Sequence, residues 1–493
     1  MTTTNIPATR RAQRELAVQN QAPTTPPAKE TKRRRRLLAP PPPPPPREEG
    51  LTPHNARGTR LRRKPGWARR GYYAPLAQGA PSTTRQAEVL NTGVVAAPTD
   101  VEALIVGLDC LSSSRVHHDP FVAYQKGIVS SPNVVVVGDV GSGKSSVCKS
   151  AYALRPLLLR DRRAVIFDKK DRGGEGEYAE LVRFFGGEPL TFSTDGDGVV
   201  LNLLDPIITG AGAKNQVRLL QVAAELAQDG EPLDEWEREA LRSAYRLTMR
   251  QAEVDGRVPV LPDVLANLGH IEADHVGGYG DASAAARERL HEAALGVRFL
   301  MGGLLEEYGG IFDGPTSKGV RLEEKLTSFD ISQLPDDGPA VPTVMAIANL
   351  WLLGSLRRNR GKMTNLVVEE GWHLVAGPNA GLLRSNTKLA RALGLALVVA
   401  IHKLADIPVT SPAMAVLQEA QTVHVYRQSR AADVERCVRD FNLTADAAEV
   451  IPSLQTGFHL FKRGTAPEVM VQHVRSDLEE RLTETDAAMG GRR

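Results

Sequence analysis

One stretch, Pro132–Ser146, constrains the fold more than any other part of the chain. Four consecutive valines, 134 to 137, predict a buried strand, and the chain then breaks into G-x-x-x-x-G-K-S before a helical segment. Strand, Gly-rich loop and helix in this order are the context in which this pattern forms a phosphate-binding P-loop. The glycines allow a tight loop whose backbone N–H groups close on a phosphate above the positive end of the next helix. The sequence therefore predicts a nucleotide-binding protein.

The residues of this loop are assigned to ATP and Mg²⁺. Lys144 is expected to reach the β- and γ-phosphates, and the Ser145 hydroxyl is expected to bind Mg²⁺. The expected phosphate cradle consists of Gly138, Asp139, Val140, Gly141, Ser142, Gly143, Lys144, Ser145 and Ser146. The helix after the loop is expected to continue to about Arg155, where Pro156 should end it.

Further apolar runs predict a mainly parallel sheet that is covered on both faces. The runs are continuous rather than alternating, as in strands that are buried on both sides. They are Ala164–Asp168, Thr327–Ile331, Asn365–Glu370 and Leu395–His402. Because ligands of such sheets bind at the carboxyl ends of the strands, the polar residues there should converge at one edge. Those residues, with the P-loop lysine, are Lys144, Asp168, Asp330, Glu369, Glu370 and His402.

Two adjacent carboxylates are assigned to hydrolysis. Glu369 and Glu370 follow Leu366-Val367-Val368 in the form of a Walker B element. Hydrolysis of a γ-phosphate needs a carboxylate near Mg²⁺ and a second group that orients the attacking water. We assign the metal side to Glu369 and the activation of water to Glu370. His402, at the end of the next strand, is placed as a sensor of the γ-phosphate, with core packing as the alternative role.

The length of the chain allows two or three folding units. It has 493 residues, of which 42% are hydrophobic. Apolar residues at helical spacing between about 206 and 310, such as Ala240, Leu241 and Ala244, predict an all-α insertion into an α/β core. The expected segments are a disordered basic and Pro-rich arm at 1–85, a linker and edge of the core at 86–130, the P-loop half of the core at 131–205, the helical insertion at 206–310, the second half of the core at 311–478 and a tail at 479–493.

The charge of the chain is divided between a basic arm and an acidic body. Residues 1–75 contain 17 Lys and Arg against four Glu, although the formal net charge of the whole chain is only +3. The main clusters are Arg33, Arg34, Arg35, Arg36, Arg62, Arg63 and Lys64. Such an arm fits nucleic-acid phosphates or an anionic membrane surface, and its aromatic residues suit either partner. A solvated tail without a partner is the third alternative.

Several other features favour a cytoplasmic protein. The three cysteines are far apart and lack the spacing of a metal site, and no signal peptide is recognised at the N-terminus. Apolar runs are expected to be too short to span a bilayer, Leu393–Ile401 being taken as the longest. His117-His118-Asp119 contains three residue types that bind metals, but adjacent histidines point in different directions on any regular element, so packing is favoured over a metal site.

The order of motifs resembles the motor domain of the large conjugative ATPases of type IV secretion systems (VirB/Tra type), in the FtsK/HerA superfamily of RecA-like motors. The resemblance covers about Asp119 to Glu479. Its motifs are Pro132-Asn133 before the P-loop, Asp168 with Gly176-Glu177-Tyr178, Phe185-Gly186-Gly187, Leu201-Asn202-Leu203-Leu204-Asp205-Pro206, Phe329-Asp330-Ile331-Ser332-Gln333-Leu334, Glu369-Glu370-Gly371-Trp372 and His402-Lys403-Leu404-Ala405-Asp406.

The chain departs from the family pattern at several positions. Glu369 stands where the family usually has Asp, and His402 stands where Gln is common. The segment Lys169–Glu175 is longer than usual. The basic arm replaces the large N-terminal domain, so the secretion component to which the protein docks is left open.

The resemblance implies a homohexameric ring with ATP bound between subunits. An arginine from the neighbouring subunit would then stabilise charge on the transferring phosphate. Arg391 lies in the right interval of the sequence, and Arg384 and Lys388 are the alternatives.

The sequence thus indicates an ATPase that energises DNA or protein transfer through a type IV secretion-like conjugation apparatus. Other secretion and conjugation components are the expected partners, and the expected location is the cytoplasm, either free or peripheral at the inner face of the cell membrane. Two alternatives remain at this point: a DNA translocase or coupling protein of the same superfamily, and a nucleotide-binding scaffold that does not hydrolyse.

Overall fold

The computed structural model describes most of the chain after residue 103. The described residues are 61–63, 73–75, 103–194, 196–206, 213–270, 283–320, 324–335, 338–358, 361–369, 393–404 and 412–483. Most of the predicted basic arm, including Arg33 to Arg36 and Lys64, lies outside them. Within the arm, strands β1 (Leu61–Arg63) and β2 (Tyr73–Pro75) pair antiparallel, with Arg62 opposite Ala74.

Eleven further strands form one mixed sheet. They are β3 (Ile105–Asp109), β4 (Arg115–His117), β5 (Val134–Val137), β6 (Arg162–Asp168), β7 (Leu190–Thr191), β8 (Leu326–Asp330), β9 (Met363–Val368), β10 (Leu395–Ile401), β11 (Thr422–Val425), β12 (Phe458–Arg463) and β13 (Val469–His473). Their order across the sheet is β4-β3-β13-β12-β11-β5-β10-β9-β6-β8-β7.

The strands from β11 to β7 in that order run parallel, which confirms the predicted core. Val137 pairs with Ile401 on one side and with Val425 on the other, and Asp168 pairs with Asp330. The carboxyl ends of β5, β6, β8, β9 and β10 therefore lie along one edge. Strands β12, β13, β3 and β4 continue the sheet in antiparallel pairing.

Both faces of the parallel part are buried, which explains the continuous apolar runs. Val135 and Val137 pack into one hydrophobic core, and Val134 and Val136 pack into a second on the opposite face. Burying each such side chain contributes about 1.5–3 kcal/mol, so a polar side chain would be costly on either face of the sheet. An alternation of polar and apolar residues would therefore destabilise β5, and all four of its residues are valine.

Helices cover the two faces. They are α1 (Pro120–Gln125), α2 (Lys144–Val147), α3 (Ala179–Phe184), α4 (Ala213–Ala227), α5 (Glu235–Asp255), α6 (Leu261–Leu268), α7 (Ala284–Glu307), α8 (Ala340–Arg358), α9 (Pro412–Glu419), α10 (Ala431–Asp440), α11 (Ala447–Val450) and α12 (Asp477–Thr483). Helices α4 to α7 form the predicted all-α insertion, and its predicted apolar faces are buried, as at Leu241 and Val297.

The helical run after the P-loop differs from the prediction. After α2 the chain continues as a π-helix, Cys148–Leu154, and then as a 3₁₀ segment, Arg155–Leu158. Pro156 therefore does not end the run. It lies in the first turn of the 3₁₀ segment, where a missing N–H removes no hydrogen bond.

The helix α8 contains a longer apolar stretch than Leu393–Ile401, which the sequence indicated as the longest apolar run. Among the described residues, Ala340–Arg357 in α8 is long and apolar enough to cross a membrane by length and composition, with a mean hydropathy of 1.3. Polar residues such as Thr343 and Asn349 interrupt it, so it contains no long unbroken apolar run. Because 78% of this stretch is buried inside the protein, it is weak evidence for a membrane span.

Three buried histidines, His118, His424 and His459, and the partly buried His473 lie near the helical run that follows the P-loop. The His424 ring on β11 packs against the His459 ring on β12 in a tilted geometry, with 4.7 Å between ring centroids, and its Nε2 lies 2.6 Å from the Tyr152 hydroxyl. Burial lowers the pKa of His424 and His459 well below 6.5, and it lowers the pKa of His118 and His473 to about 3. Folding therefore requires neutral imidazoles in this cluster. His117 and His118 are buried, as the preference for packing over a metal site predicts.

This cluster predicts a loss of stability in mild acid. A histidine with a lowered pKa in the folded state is protonated only in the unfolded state between the two pKa values, so stability falls as pH drops below about 6.5. Among the described residues neither ring nitrogen of His459 has a hydrogen-bond partner. His459→Phe should remove about 2 kcal/mol of the loss in unfolding free energy between pH 7 and pH 5.

The measurement is denaturant unfolding across that pH range. His291→Gln is the control, because His291 is exposed on α7 and is hydrated in both states. An unchanged pH slope in His459→Phe would contradict the buried neutral imidazole.

Candidate functional site

The P-loop adopts a shape that its glycines make possible. Gly141 has φ 73° and Gly143 has φ 108°, both in the left-handed region that favours glycine. At Gly138 a Cβ would lie 2.4 Å from the Cβ of Tyr426, so no larger residue fits there. The Ser142 hydroxyl donates to the Asp139 carbonyl at 2.7 Å and closes the loop on itself.

Distant segments hold the loop from outside. The Asp139 carboxylate accepts a hydrogen bond from the Ser429 backbone N–H at 2.8 Å. The Gly457 N–H donates to the Ser142 carbonyl at 3.0 Å. These contacts come from the segments after β11 and before β12, and no sequence pattern indicated them.

The P-loop lysine lies over the loop. Lys144 is 5% exposed, and its Nζ donates to the carbonyls of Gly138 at 2.6 Å and Asp139 at 2.8 Å. The ammonium group is thus held against the backbone at the start of the loop. The Val140 side chain is exposed at the tip of the loop.

Ser145 and Glu369, the two residues assigned to the metal, are in contact. The Ser145 hydroxyl donates to Glu369 Oε2 at 2.7 Å. The Tyr178 hydroxyl donates to the other carboxylate oxygen, Oε1, at 2.6 Å. Thus the P-loop helix and the end of β9 meet at one buried carboxylate.

A lysine that the sequence did not single out completes this cluster. Lys170 Nζ lies 2.8 Å from Ser145 Oγ and 3.1 Å from Glu369 Oε2. Burial alone would raise the pKa of Glu369, but the ammonium groups of Lys170 and Lys149 outweigh it. Together with the hydrogen bonds from Tyr178 and Ser145, they lower the pKa of Glu369 to about 2. The carboxylate is therefore ionised and surrounded by donors.

Asp168 and Asp330 lie at the predicted edge, where they hold a backbone segment. Asp168 Oδ2 accepts from the Tyr178 N–H at 2.7 Å, and Asp330 Oδ2 accepts from the Gly176 N–H at 2.9 Å. Burial raises the pKa of Asp168 well above its usual range. The pair thereby fixes Tyr178, whose hydroxyl reaches Glu369.

The segment that follows Asp168 forms a tight hairpin, which we call the Gly-Gly hairpin (residues 170–177). Asp171 and Gly176 form an antiparallel bridge, and Gly173 and Gly174 make the turn with φ 74° and 96°. The Glu175 carboxylate accepts from Arg183 on α3 at 2.7 Å. At the base, the buried Lys149 ammonium lies 3.1 Å from Glu177 Oε2.

The remaining predicted residues are placed only in part. His402 directly follows β10, one position beyond the pair of Ile401 with Val137, and its carbonyl accepts from Gln428 Nε2 at 3.1 Å. Glu370 and Arg391 lie outside the described residues, as do the alternatives Arg384 and Lys388.

Comparisons with known proteins support the fold. No protein-family model and no curated protein matches the sequence. The structure of VirB4 of Thermoanaerobacter pseudethanolicus is similar with a TM-score of 0.58 and 20% identity, covering 78% of this chain and 100% of that chain. The bacterial conjugative coupling protein TrwB gives a TM-score of 0.48 and 16% identity, covering 77% and 91%. The same values hold for TrwB in complex with ADP and Mg²⁺. The likeness to VirB4 confirms the predicted RecA-like P-loop fold.

Gly176 offers a direct test of how the two aspartates hold the hairpin. A Cβ there would lie 2.3 Å from Asp168 Oδ2 and 2.9 Å from Asp330 Oδ1. Gly176→Ala should therefore lower the unfolding free energy by about 1–3 kcal/mol, measured by denaturant unfolding.

The matched control is Gly296→Ala in the helix α7, where an added Cβ meets nothing within 4 Å. That variant should gain up to about 1 kcal/mol from helix propensity. Equal stability of the two alanine variants would argue against the close contact at Gly176.

Proposed function

We propose that this protein is an ATP hydrolase motor that energises DNA or protein transfer through a type IV secretion-like conjugation apparatus. One observation carries the proposal: the P-loop residue Ser145 is hydrogen-bonded to Glu369 at the end of β9, 2.7 Å away. A P-loop that only bound phosphate would not need a buried, ionised carboxylate beside its serine.

The donor set fits a nucleotide with Mg²⁺. Ser145 and Glu369 supply a hydroxyl and a carboxylate oxygen, the ligands that Mg²⁺ prefers, and waters and phosphate oxygens usually complete its coordination. When bound, the metal ion neutralises charge on the β- and γ-phosphates. The backbone N–H groups of residues 138–146 would hold the phosphate oxygens, and Lys144 would exchange its two carbonyl acceptors for them.

The hydrolytic roles extend this arrangement. Glu370, directly after Glu369, is assigned to orient the attacking water and accept its proton. His402, at the end of the strand beside β5, is assigned to sense the γ-phosphate. Arg391 of a neighbouring subunit is assigned to stabilise the transferring phosphate, with Arg384 and Lys388 as the alternatives.

An arginine supplied by a neighbouring subunit requires an oligomer, and we propose a homohexameric ring in the cytoplasm, free or peripheral at the inner face of the membrane. The order of motifs supports it, and so does the fold shared with VirB4 over the whole of that chain. A DNA translocase or coupling protein of the same superfamily is the second candidate, because the basic arm fits DNA. Turnover that rises with added DNA and loses this response at high salt would favour that candidate.

Variants of the two assigned groups separate binding from hydrolysis. Lys144→Ala should abolish binding of a fluorescent ATP analogue, because the cation facing the phosphates is lost. Glu370→Gln should keep that binding and lower the kcat of ATP hydrolysis by about 10²–10⁴, the usual contribution of a general base.

Lys214→Ala is the control, since Lys214 is exposed on α4 in the helical insertion. Full turnover in Lys144→Ala would refute the site. Binding without turnover in the unmodified protein would favour the non-hydrolysing scaffold.

Deletion of residues 1–75 tests the partner of the arm. The deletion removes 17 basic residues, so binding to either DNA or vesicles of anionic lipid should weaken, most strongly at low salt. Fluorescence anisotropy with labelled DNA and sedimentation with vesicles measure the two separately, at 50 and 200 mM salt. If neither affinity changes, the arm is not the contact surface.

A further inference from the structure

The ammonium group of Lys170 lies on the same two groups that would hold Mg²⁺. Its Nζ is 2.8 Å from Ser145 Oγ and 3.1 Å from Glu369 Oε2. We propose that Lys170 is a displaceable cation that competes with the divalent metal ion for this pair of oxygens and so sets the metal concentration at which nucleotide binds. The proposal rests on the proposed nucleotide site.

The hydrogen bonds around Ser145 Oγ and Glu369 Oε2 indicate that a cation binds between these two oxygens. A serine hydroxyl has one proton to donate and two lone pairs to accept. The Ser145 proton goes to Glu369 Oε2, and one lone pair accepts from Lys170. The Tyr178 hydroxyl takes one lone pair of the other carboxylate oxygen, Oε1. Oε2 is therefore the oxygen of Glu369 that a cation shared with Ser145 would contact, and Lys170 lies there.

Electrostatic repulsion disfavours the Lys170 ammonium and a divalent metal ion in this position at the same time. The Glu369 side chain is 2% exposed, and a buried carboxylate requires a compensating charge. Lys170 and Lys149 both supply positive charge, but Lys149 is paired with Glu177, whereas Lys170 contacts Glu369 directly. A divalent ion beside the same ammonium would place like charges within a few ångströms in a poorly screened environment, so binding of one favours departure of the other.

Lys170, rather than Lys149, is able to leave. Lys149 is fully buried and paired with Glu177 at 3.1 Å. The Lys170 side chain is 27% exposed, which gives its ammonium a route to solvent. Its backbone is fixed nonetheless, because its carbonyl accepts from the Glu177 N–H at the base of the Gly-Gly hairpin. The ammonium can therefore exchange between two positions while the hairpin keeps its place.

The test measures metal binding directly in the full-length protein. The probe is Mn²⁺ with a non-hydrolysable ATP analogue, and the free Mn²⁺ signal in electron paramagnetic resonance gives the half-saturation point. Lys170→Met should lower that point roughly tenfold, equivalent to about 1.4 kcal/mol, because the competing charge is gone. Lys170→Gln, which keeps a polar end group, should act in the same direction and serves if the Met variant does not fold.

The matched control is the neighbouring residue. Lys169 Nζ donates to the Leu334 carbonyl at 2.8 Å and is not bonded to Ser145 or Glu369 in the described structure, so Lys169→Met should leave the half-saturation point unchanged. A second readout is thermal unfolding without nucleotide. Lys170→Met should unfold at a lower temperature than the unmodified protein, and millimolar Mg²⁺ should restore more stability to it than to the unmodified protein.

The outcomes separate this proposal from the proposed function. If the unmodified protein binds Mn²⁺ with the nucleotide analogue but Lys170→Met and Lys170→Gln do so at the same or a higher metal concentration, the competition is refuted and the nucleotide site stands. If the unmodified protein binds neither metal nor analogue, the proposed function fails. A purely structural Lys170 would lower the unfolding temperature without moving the half-saturation point, which also refutes the competition.

Discussion

The site depends on one buried, ionised carboxylate. Isolated in the protein interior, the charge of Glu369 would cost several kcal/mol. The structure compensates it with donors from three separate segments: Ser145 from the P-loop helix, Lys170 from the Gly-Gly hairpin, and Tyr178 from the start of α3. Because removing any of these donors leaves a charge less compensated, the position of each segment is tied to the others through this carboxylate.

The parallel sheet provides the frame on which these donors meet. Its carboxyl edge brings Asp168 and Asp330 side by side, and they take the backbone N–H groups of Tyr178 and Gly176. In this arrangement these aspartates accept hydrogen bonds from the backbone of the neighbouring segment. They direct the Tyr178 hydroxyl to Glu369 and fix the base of the hairpin that presents Lys170. A carboxylate at the end of a strand can thus support a nucleotide site indirectly, by positioning the residues that form it.

The parts of this structure that follow from local pattern were predictable, and the parts that depend on distant contacts were not. Because Val134–Val137 and Leu395–Ile401 are buried on both faces, their sequences are continuously apolar and recognisable as central strands. The Gly-rich P-loop pattern likewise indicates the helix that follows it. The antiparallel strands β12 and β13 carry mixed sequences such as FHLFKR and VMVQH, whose partners lie far away in the chain. Lys170 resembled an ordinary solvated charge in a loop, since nothing local shows that its side chain reaches Glu369. The water-activating and arginine assignments, Glu370 and Arg391, stay predictions.

The antiparallel part of the sheet also bears on the site, through the outer support of the P-loop. Asp139 is held by Ser429, 290 residues further along the chain, and Ser142 by Gly457. These two supports flank α10 and α11 and belong to the turns that join β11 to β12. A movement of that segment would therefore reach the loop directly, through hydrogen bonds to its backbone and to its one carboxylate. Since Lys144 donates to the Asp139 carbonyl, the same contacts position the lysine that faces the phosphates. The C-terminal part of the chain, which contributes no residue to the P-loop motif, thus helps to set its geometry.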